Sequence, residues 1–327
     1  MFDGFGDVIL KRENTDFIDY LRVFAVCLIL CCHLASASNY GLIQMSAQFF
    51  NVGVSVFFVI SGFCFGLQDR VSNVFVWYKK RLRRIFIALD SFLFLLLFVY
   101  LFRGFHLPFW NWLSCLFGVQ GAVVGCLGAD HTWFISSLLL CYLITPFLYG
   151  VVKFGWFVFA QMLIVPVLLS LFPNVSVFTI GCHLSFYVFA YFLGANFRRY
   201  NGSVKSSVYF ILILLSFACR LGFKFLMDGS RFYDCIVVWY MHYLLAFCFL
   251  GLFYNVFKEC KSGKFVKFLC SISFEIYLVH YMFIVGPVSL MGVFNSYVLN
   301  CILVVFVSVV VAYVLHSFCL KLEKLVN

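Results

Sequence analysis

Of 327 residues, 65% are hydrophobic and only 11% charged. A soluble globular domain carries about 25% charged residues, so there is too little polar surface here to cover a water-soluble body. Mean hydropathy is +1.05, and the apolar runs are about 20 residues long, the length of a membrane-crossing helix rather than of the roughly 10-residue alternating strands of a barrel. The net charge of +10 is spread over short loops between those runs, a pattern of membrane topology that excludes a nucleic-acid surface. The 15 cysteines form no CxxC pair and no Cys/His metal spacing. They read as small residues of a membrane core, with no metal expected. Cys115, Cys126, Cys182 and Cys235 fall near predicted outer loops, where the sequence permits a disulfide without indicating one.

In chain order, the sequence predicts a cytoplasmic tail over 1–18 and a first span over 19–38. Ala35-Ser36-Ala37 has the form of a signal-peptide cleavage site. Asp3, Asp7, Glu13, Asp16 and Asp19 precede it, the wrong charge for a signal peptide's basic start, so the segment reads as a membrane helix. The second span is expected over 48–67, with Gly53, Ser61 and Gly62 allowing another helix to approach closely. A basic loop with Arg70 and Lys79-Lys80-Arg81-Leu82-Arg83-Arg84 leads to a third span over 85–102. Residues 103–131 carry Pro108, Trp110, Trp112 and five glycines. They are too polar for a span and are expected to form a re-entrant or amphipathic segment at the outer surface. Further spans are predicted over 132–150, 154–172, 183–197, 205–222, 235–257, 269–286 and 297–316. The expected fold is thus an all-α polytopic membrane protein, a single domain over 1–327 with about ten transmembrane helices. Placing both termini in the cytoplasm puts 19 Lys/Arg on the inner side and leaves Arg103, Arg220, Lys224 and Arg231 outside, as the positive-inside rule requires.

Ionisable groups inside a span cost about 2.5–3.5 kcal/mol on insertion scales, which singles out His33, Asp90, His242, Glu275 and His280. Arg22 and His33 are 11 residues apart, three helical turns plus about 20°. One stripe therefore carries a guanidinium at its end and an imidazole about 16 Å further in. His242 and His280 also fit neutral imidazoles hydrogen-bonded to a neighbouring helix. Asp90 fits an ion pair with Arg83 or another base of the cluster, Glu275 a pair with a base on another helix, and His316 an interfacial position. Arg81 and Arg84 at i, i+3 suit a phosphate clamp, with Lys80 beside them; anionic lipid headgroups are the competing partner. His131-Thr132-Trp133-Phe134 opens a helix at the outer surface, where Trp133 is an interface anchor and His131 can face a substrate.

Together these stretches resemble the membrane-bound acyltransferase 3 family, which includes O-acetyltransferases of polysaccharide and lipopolysaccharide. The family's Arg, ten residues, then His, with an Asp before it, is matched by Asp19, Arg22 and His33. Its Gly-Val-x-x-Phe-Phe-x-Ile-Ser-Gly-Phe segment is similar to residues 53–63, and its basic element to Arg81 and Arg84. His-x-Trp-Phe is matched by His131–Phe134, with Tyr142-Leu143 and Pro146 beyond, and Ser-x-x-Ile-Tyr-Leu-x-His by Ser273–His280. Two departures stand out: Glu275 occupies the place of a small residue, and Ser136-Ser137 replace an acidic pair.

The resemblance implies an integral-membrane O-acetyltransferase of the bacterial inner membrane. It implies acetyl-coenzyme A as donor and a hydroxyl of a cell-surface polysaccharide or lipid-linked glycan as acceptor. His33, Arg22 and Asp19 are the expected catalytic group. Lys80, Arg81 and Arg84 are expected to hold the donor phosphates, and His131, Trp133, Glu275, Tyr277 and His280 to face the outer substrate. Imidazole titrates near neutral pH, which suits His33 as the general base. Direct transfer is expected, since no serine nucleophile elbow or Cys/His pair is evident. The alternative class is a transporter of polysaccharide or a small solute, using buried His, Asp and Glu as a proton relay. Repeats or broken helices in corresponding halves would mark one, and none is evident in the sequence.

Overall fold

The computed structural model describes residues 15–68, 71–106, 109–121, 126–151, 153–197 and 204–325. Most of the expected N-terminal tail, Arg70, Pro108, and Arg198 and Arg199 lie outside them. The described residues form helices and connecting turns, with no strand among them. The helices are α1 Asp16–Ser36, α2 Gly41–Phe50, α3 Val52–Gly66, α4 Val74–Arg103, α5 Phe109–Leu116, α6 Trp133–Val151, α7 Gly155–Ser170, α8 Val175–Ala195, α9 Ser206–Met227, α10 Val238–Phe257, α11 Lys264–Ser271, α12 Ser273–Ile284 and α13 Tyr297–Leu325.

Eight helical segments are long and apolar enough to cross a membrane, with α2 and α3 counted as one. A ninth counts if α11 and α12, bent by 63° at their junction, are taken together. The tenth expected span is α7, whose 16 residues fall short of the roughly 20 that a bilayer core requires. Several boundaries differ from expectation, each because a polar start remained helical. The helix expected from 85 begins at Val74, capped by the Asn73 side chain accepting from Val76 N at 3.0 Å, so the basic run is helical rather than a loop. Likewise α8 begins at Val175, capped by Asn174, eight residues before the expected start. The last helix continues past 316 to Leu325.

Helix α3 is the centre of the bundle. All its residues except Phe57 are buried, and it packs on α1, α8 and α10. Its glycines make this close approach feasible. A Cβ at Gly53 would meet the Ala25 carbonyl of α1 at 2.7 Å, one at Gly62 the Tyr187 carbonyl of α8 at 2.6 Å, and one at Gly66 the Tyr191 carbonyl at 2.1 Å. Backbones at that separation gain dispersion contacts that larger side chains would prevent, the main attraction available between helices in lipid.

Both ends of the described chain lie at one end of the bundle. The start of α1 meets the 258–263 turn through Asp16 and Ser262. At the other end of α1, the Leu34 carbonyl accepts from the Tyr297 hydroxyl at the start of α13. The far end of α13 returns to the basic start of α4, where Glu323 meets Arg84 at 3.8 Å. The segment after α4 folds back on the bundle: Gln120 Nε2 donates to Thr132 Oγ1 at 2.8 Å, and Tyr100 to the Leu127 carbonyl at 2.8 Å. No disulfide joins any of the cysteines among the described residues.

Gly66→Ala is expected to lower stability by about 1–3 kcal/mol, because the new methyl has no space and the α3–α8 contact must open. Gly222→Ala, where a Cβ meets nothing within 4 Å, should be neutral or slightly stabilising. Thermal unfolding of the two variants in detergent checks the contrast.

Candidate active site

Three imidazoles meet inside the bundle. His33 of α1 lies with its ring centroid 5.1 Å from His280 of α12 and 6.3 Å from His131, in the 3-10 turn before α6; His131 and His280 are 5.0 Å apart. Tyr281 packs on both His33 and His131, at 4.9 Å from each. The chain positions them by different means. His33 rides on the Arg22 stripe of α1. His131 is held by a reciprocal pair in which its Nε2 donates to the Tyr277 carbonyl at 2.7 Å and the Tyr277 hydroxyl donates to the His131 carbonyl. His280 Nδ1 donates to the same Tyr277 carbonyl at 2.7 Å and to Ile276 O at 3.1 Å.

These bonds fix the tautomers. A carbonyl only accepts, so His131 carries its proton on Nε2 and His280 on Nδ1, and each neutral ring keeps an unprotonated nitrogen. Those nitrogens, His131 Nδ1 and His280 Nε2, are buried without a hydrogen-bond partner among the described residues. His33, only partly buried, is the member of the group left to engage a further molecule.

The basic end of α1 is organised differently. Arg22 is buried and donates through Nη1 to Cys270 Sγ at 3.3 Å; Cys270 in turn donates to Asp19 Oδ1 at 3.3 Å, and Ser262 Oγ donates to Asp19 Oδ2 at 2.9 Å. The break at Ile272 turns α12 away from α11 and sets Cys270 against α1. Beside this group lies a small cavity of about 20 Å³, lined by Arg22, Ile29, Phe57, Phe134, Phe274 and Tyr277 among others, which reaches the imidazole cluster only through Tyr277. That is room for about one water-sized sphere.

The structure sorts the expected residues. Arg22 and Asp19 are not beside His33: 11 and 14 residues along one helix separate them from it, about 16 and 21 Å. Asp19 positions Arg22 and the 258–263 turn. Lys80, Arg81 and Arg84 do not form one clamp. Arg81 is buried with its guanidinium 5.3 Å from the Phe65 ring and 5.9 Å from Trp77, and both rings touch Tyr142 of the Arg22 cavity. Arg84, about 60° further round the helix, reaches Glu323, and Lys80 is exposed.

His131, expected to face outward, is buried in the cluster with Tyr277 and His280. Trp133 stacks instead on His183, at 5.5 Å and 23°. Glu275 leaves the group of outer-face candidates, because its Oε1 accepts from His316 Nδ1 of α13 at 2.9 Å. His316 is therefore the base on another helix that the sequence leaves unnamed for Glu275. Asp90 forms no ion pair with Arg83 among the described residues, and its Oδ1 is buried without a partner; seven residues, about 10 Å of rise, hold the two apart. Sequence reasoning missed Tyr281, adjacent to the matched His280, and Cys270, three residues before the matched Ser273.

The described residues thus form a helical membrane bundle with three imidazoles inside it and a buried guanidinium toward its basic end. The family described as an acyltransferase domain matches residues 15–317, and the chain belongs to this acyltransferase 3 family. No curated protein and no solved structure matches it.

The Glu275–His316 pair has a testable energetic signature. Glu275 is buried with Oε2 unpartnered, so His316→Leu should cost about 3 kcal/mol by leaving the carboxyl alone. Glu275→Leu combined with His316→Leu should cost markedly less than the sum of the single changes. A double-mutant cycle by thermal unfolding measures the coupling.

Proposed function

We propose that the protein transfers an acetyl group from acetyl-coenzyme A, bound from the cytoplasmic side, to a hydroxyl of a cell-surface polysaccharide or lipid-linked glycan approaching from the other side of a bacterial inner membrane. The observation that carries this reading is the line from Arg22, through the narrow cavity, to the His33–His131–His280 cluster. It joins a cation at the basic end to a base at mid-bundle. Coenzyme A is a polyanion with a long thin arm. Its phosphates suit the Arg22 and Arg81 end, where guanidinium groups bind phosphate well, and its pantetheine arm matches the roughly 16 Å rise from Arg22 to His33. The cavity is narrower than that arm, so Phe57 and Phe274 must swing aside on donor entry.

At the cluster, His33 takes the proton of the acceptor hydroxyl as its oxygen attacks the thioester carbon. The imidazolium formed on His33 is stabilised by the unprotonated nitrogens of His131 and His280, both preset as acceptors. The tetrahedral oxyanion requires a donor, and Tyr281, whose ring packs on His33, carries a hydroxyl that can serve. Collapse expels the coenzyme A thiolate, which takes the proton back from His33. No covalent acyl-enzyme is needed.

His33→Ala should leave the protein in the membrane and abolish acceptor acetylation, read by NMR of surface glycans from cells carrying wild type, variant or no gene. Wild-type acetylation in the variant would remove His33 from the chemistry. Arg22→Lys keeps charge but loses the planar fork, so it should raise the KM for acetyl-coenzyme A about tenfold with a smaller effect on kcat. Labelled donor supplied to membrane vesicles measures both constants.

A further inference from the structure

A second cavity lies at the end of the bundle away from the basic run, among the first turns of α3, α8 and α10 and the start of α6. Its volume is about 380 Å³, within the roughly 300–1,000 Å³ of small-ligand sites. The acyl-transfer line does not pass through it, and of the sequence motifs only Trp133 and Ser137 reach it. Its lining combines two indole rings, Trp133 and Trp239, with small polar side chains such as Asn51, Ser55 and Thr179. Two further polar groups in the lining are nearly sealed: His183 is 2% exposed and Ser137 1%. His183 bonds the Tyr243 hydroxyl through Nδ1, while His183 Nε2 and Ser137 Oγ have no hydrogen-bond partner among the described residues. Buried polar atoms in lipid are costly unless something satisfies them.

The cavity is also backed by an uncompensated cation. Arg220 of α9 is 2% exposed, lies over the Phe49 ring at 5.1 Å, and is paired with no carboxylate among the described residues. Its Nη1 donates to His242 Nε2 at 2.6 Å. That nitrogen is therefore an acceptor and does not also donate to the Gln48 carbonyl 3.4 Å away. The proton of neutral His242 sits on Nδ1, and His242 lines the cavity. A neighbouring cavity of about 340 Å³ shares Asn51 and adds Lys224, which is held by Gln48 at 3.1 Å and Asp228 at 3.8 Å. A buried guanidinium without a counter-charge is expensive, and an anion at His242 would supply one. The π-helical turn Tyr233–Val237 sets the register that presents both Trp239 and His242, and such turns recur at functional sites.

We propose that this cavity binds an acidic saccharide unit, its ring laid against Trp133 or Trp239 and its carboxylate or phosphate directed to His242. Indole faces match the apolar faces of a sugar ring, and the hydroxyl, amide and imidazole groups match its hydroxyls. The cation behind His242 selects a charged sugar over a neutral one. As a binding site the proposal stands on these residues alone; as the place where the acceptor docks, it rests on the acyl-transfer reading above.

The test uses full-length protein in nanodiscs of zwitterionic phosphatidylcholine, titrated with methyl β-glucuronide, glucose 1-phosphate and methyl β-glucoside and read by saturation-transfer NMR. At least one acidic probe should bind about tenfold or more tightly than the neutral glucoside, and which one does distinguishes carboxylate from phosphate. Trp239→Ala should weaken that binding about tenfold, and Trp239→Phe should restore most of it. If Trp239→Ala fails to fold, Thr179→Leu, which fills the cavity, is read the same way. Equal binding of acidic and neutral probes overturns the charge selection. Absence of saccharide binding in protein that still binds acetyl-coenzyme A overturns the site while leaving the transfer reading intact. Saccharide binding that survives when acetyl-coenzyme A does not bind overturns the transfer reading instead.

Discussion

The Tyr277 carbonyl is the atom on which the candidate active site depends. It accepts from His131 Nε2 and from His280 Nδ1, both at 2.7 Å, and the hydroxyl of the same residue returns to the His131 backbone. One residue of α12 thereby fixes two tautomers and ties the turn before α6 to a helix about 150 residues further along the chain. In a low-dielectric interior such bonds are strong and their loss is expensive. The His33 ring enters the group from α1 without a hydrogen bond of its own among the described residues, so two of the three rings are held and the third is left available.

Two opposite electrostatic problems are solved at the two ends of the bundle. At the basic end Arg22 is surrounded by a thiol and, one atom further, a carboxylate, so its charge is balanced within the protein. Arg220, at the other end, has an imidazole and an aromatic face but no carboxylate among the described residues.

Much of this was legible in the sequence because insertion cost makes buried polar residues conspicuous. Most of the spans and the Arg22–His33 stripe follow from apolar run length and helical period, Gly53 and Gly62 from their small size, and His280 from its depth in a span. What was not legible depended on which helix lies beside which. Arg81 and Arg84 look like one clamp at i, i+3, yet one faces α3 and the other α13. Glu275 had no visible partner because His316, 41 residues away, was assigned to the membrane surface. His183 escaped notice for a more local reason: a span drawn from 183 put it at a helix end, where an imidazole is cheap, whereas Asn174 starts the helix two turns earlier and carries His183 inward.

Helix α4 has 30 residues and α13 has 29, about 45 and 43 Å at 1.5 Å per residue, against a hydrocarbon thickness of about 30 Å. Their apolar parts, from Ile85 and up to about His316, account for the bilayer. The remaining turns of both project from the same end, joined by Arg84 and Glu323. That pair is only about one-fifth exposed, at 22% and 20%, so salt screens it less than a fully solvated pair. The two long helices thus run on together past the length that a bilayer core takes up, clasped to each other at the basic end of the bundle.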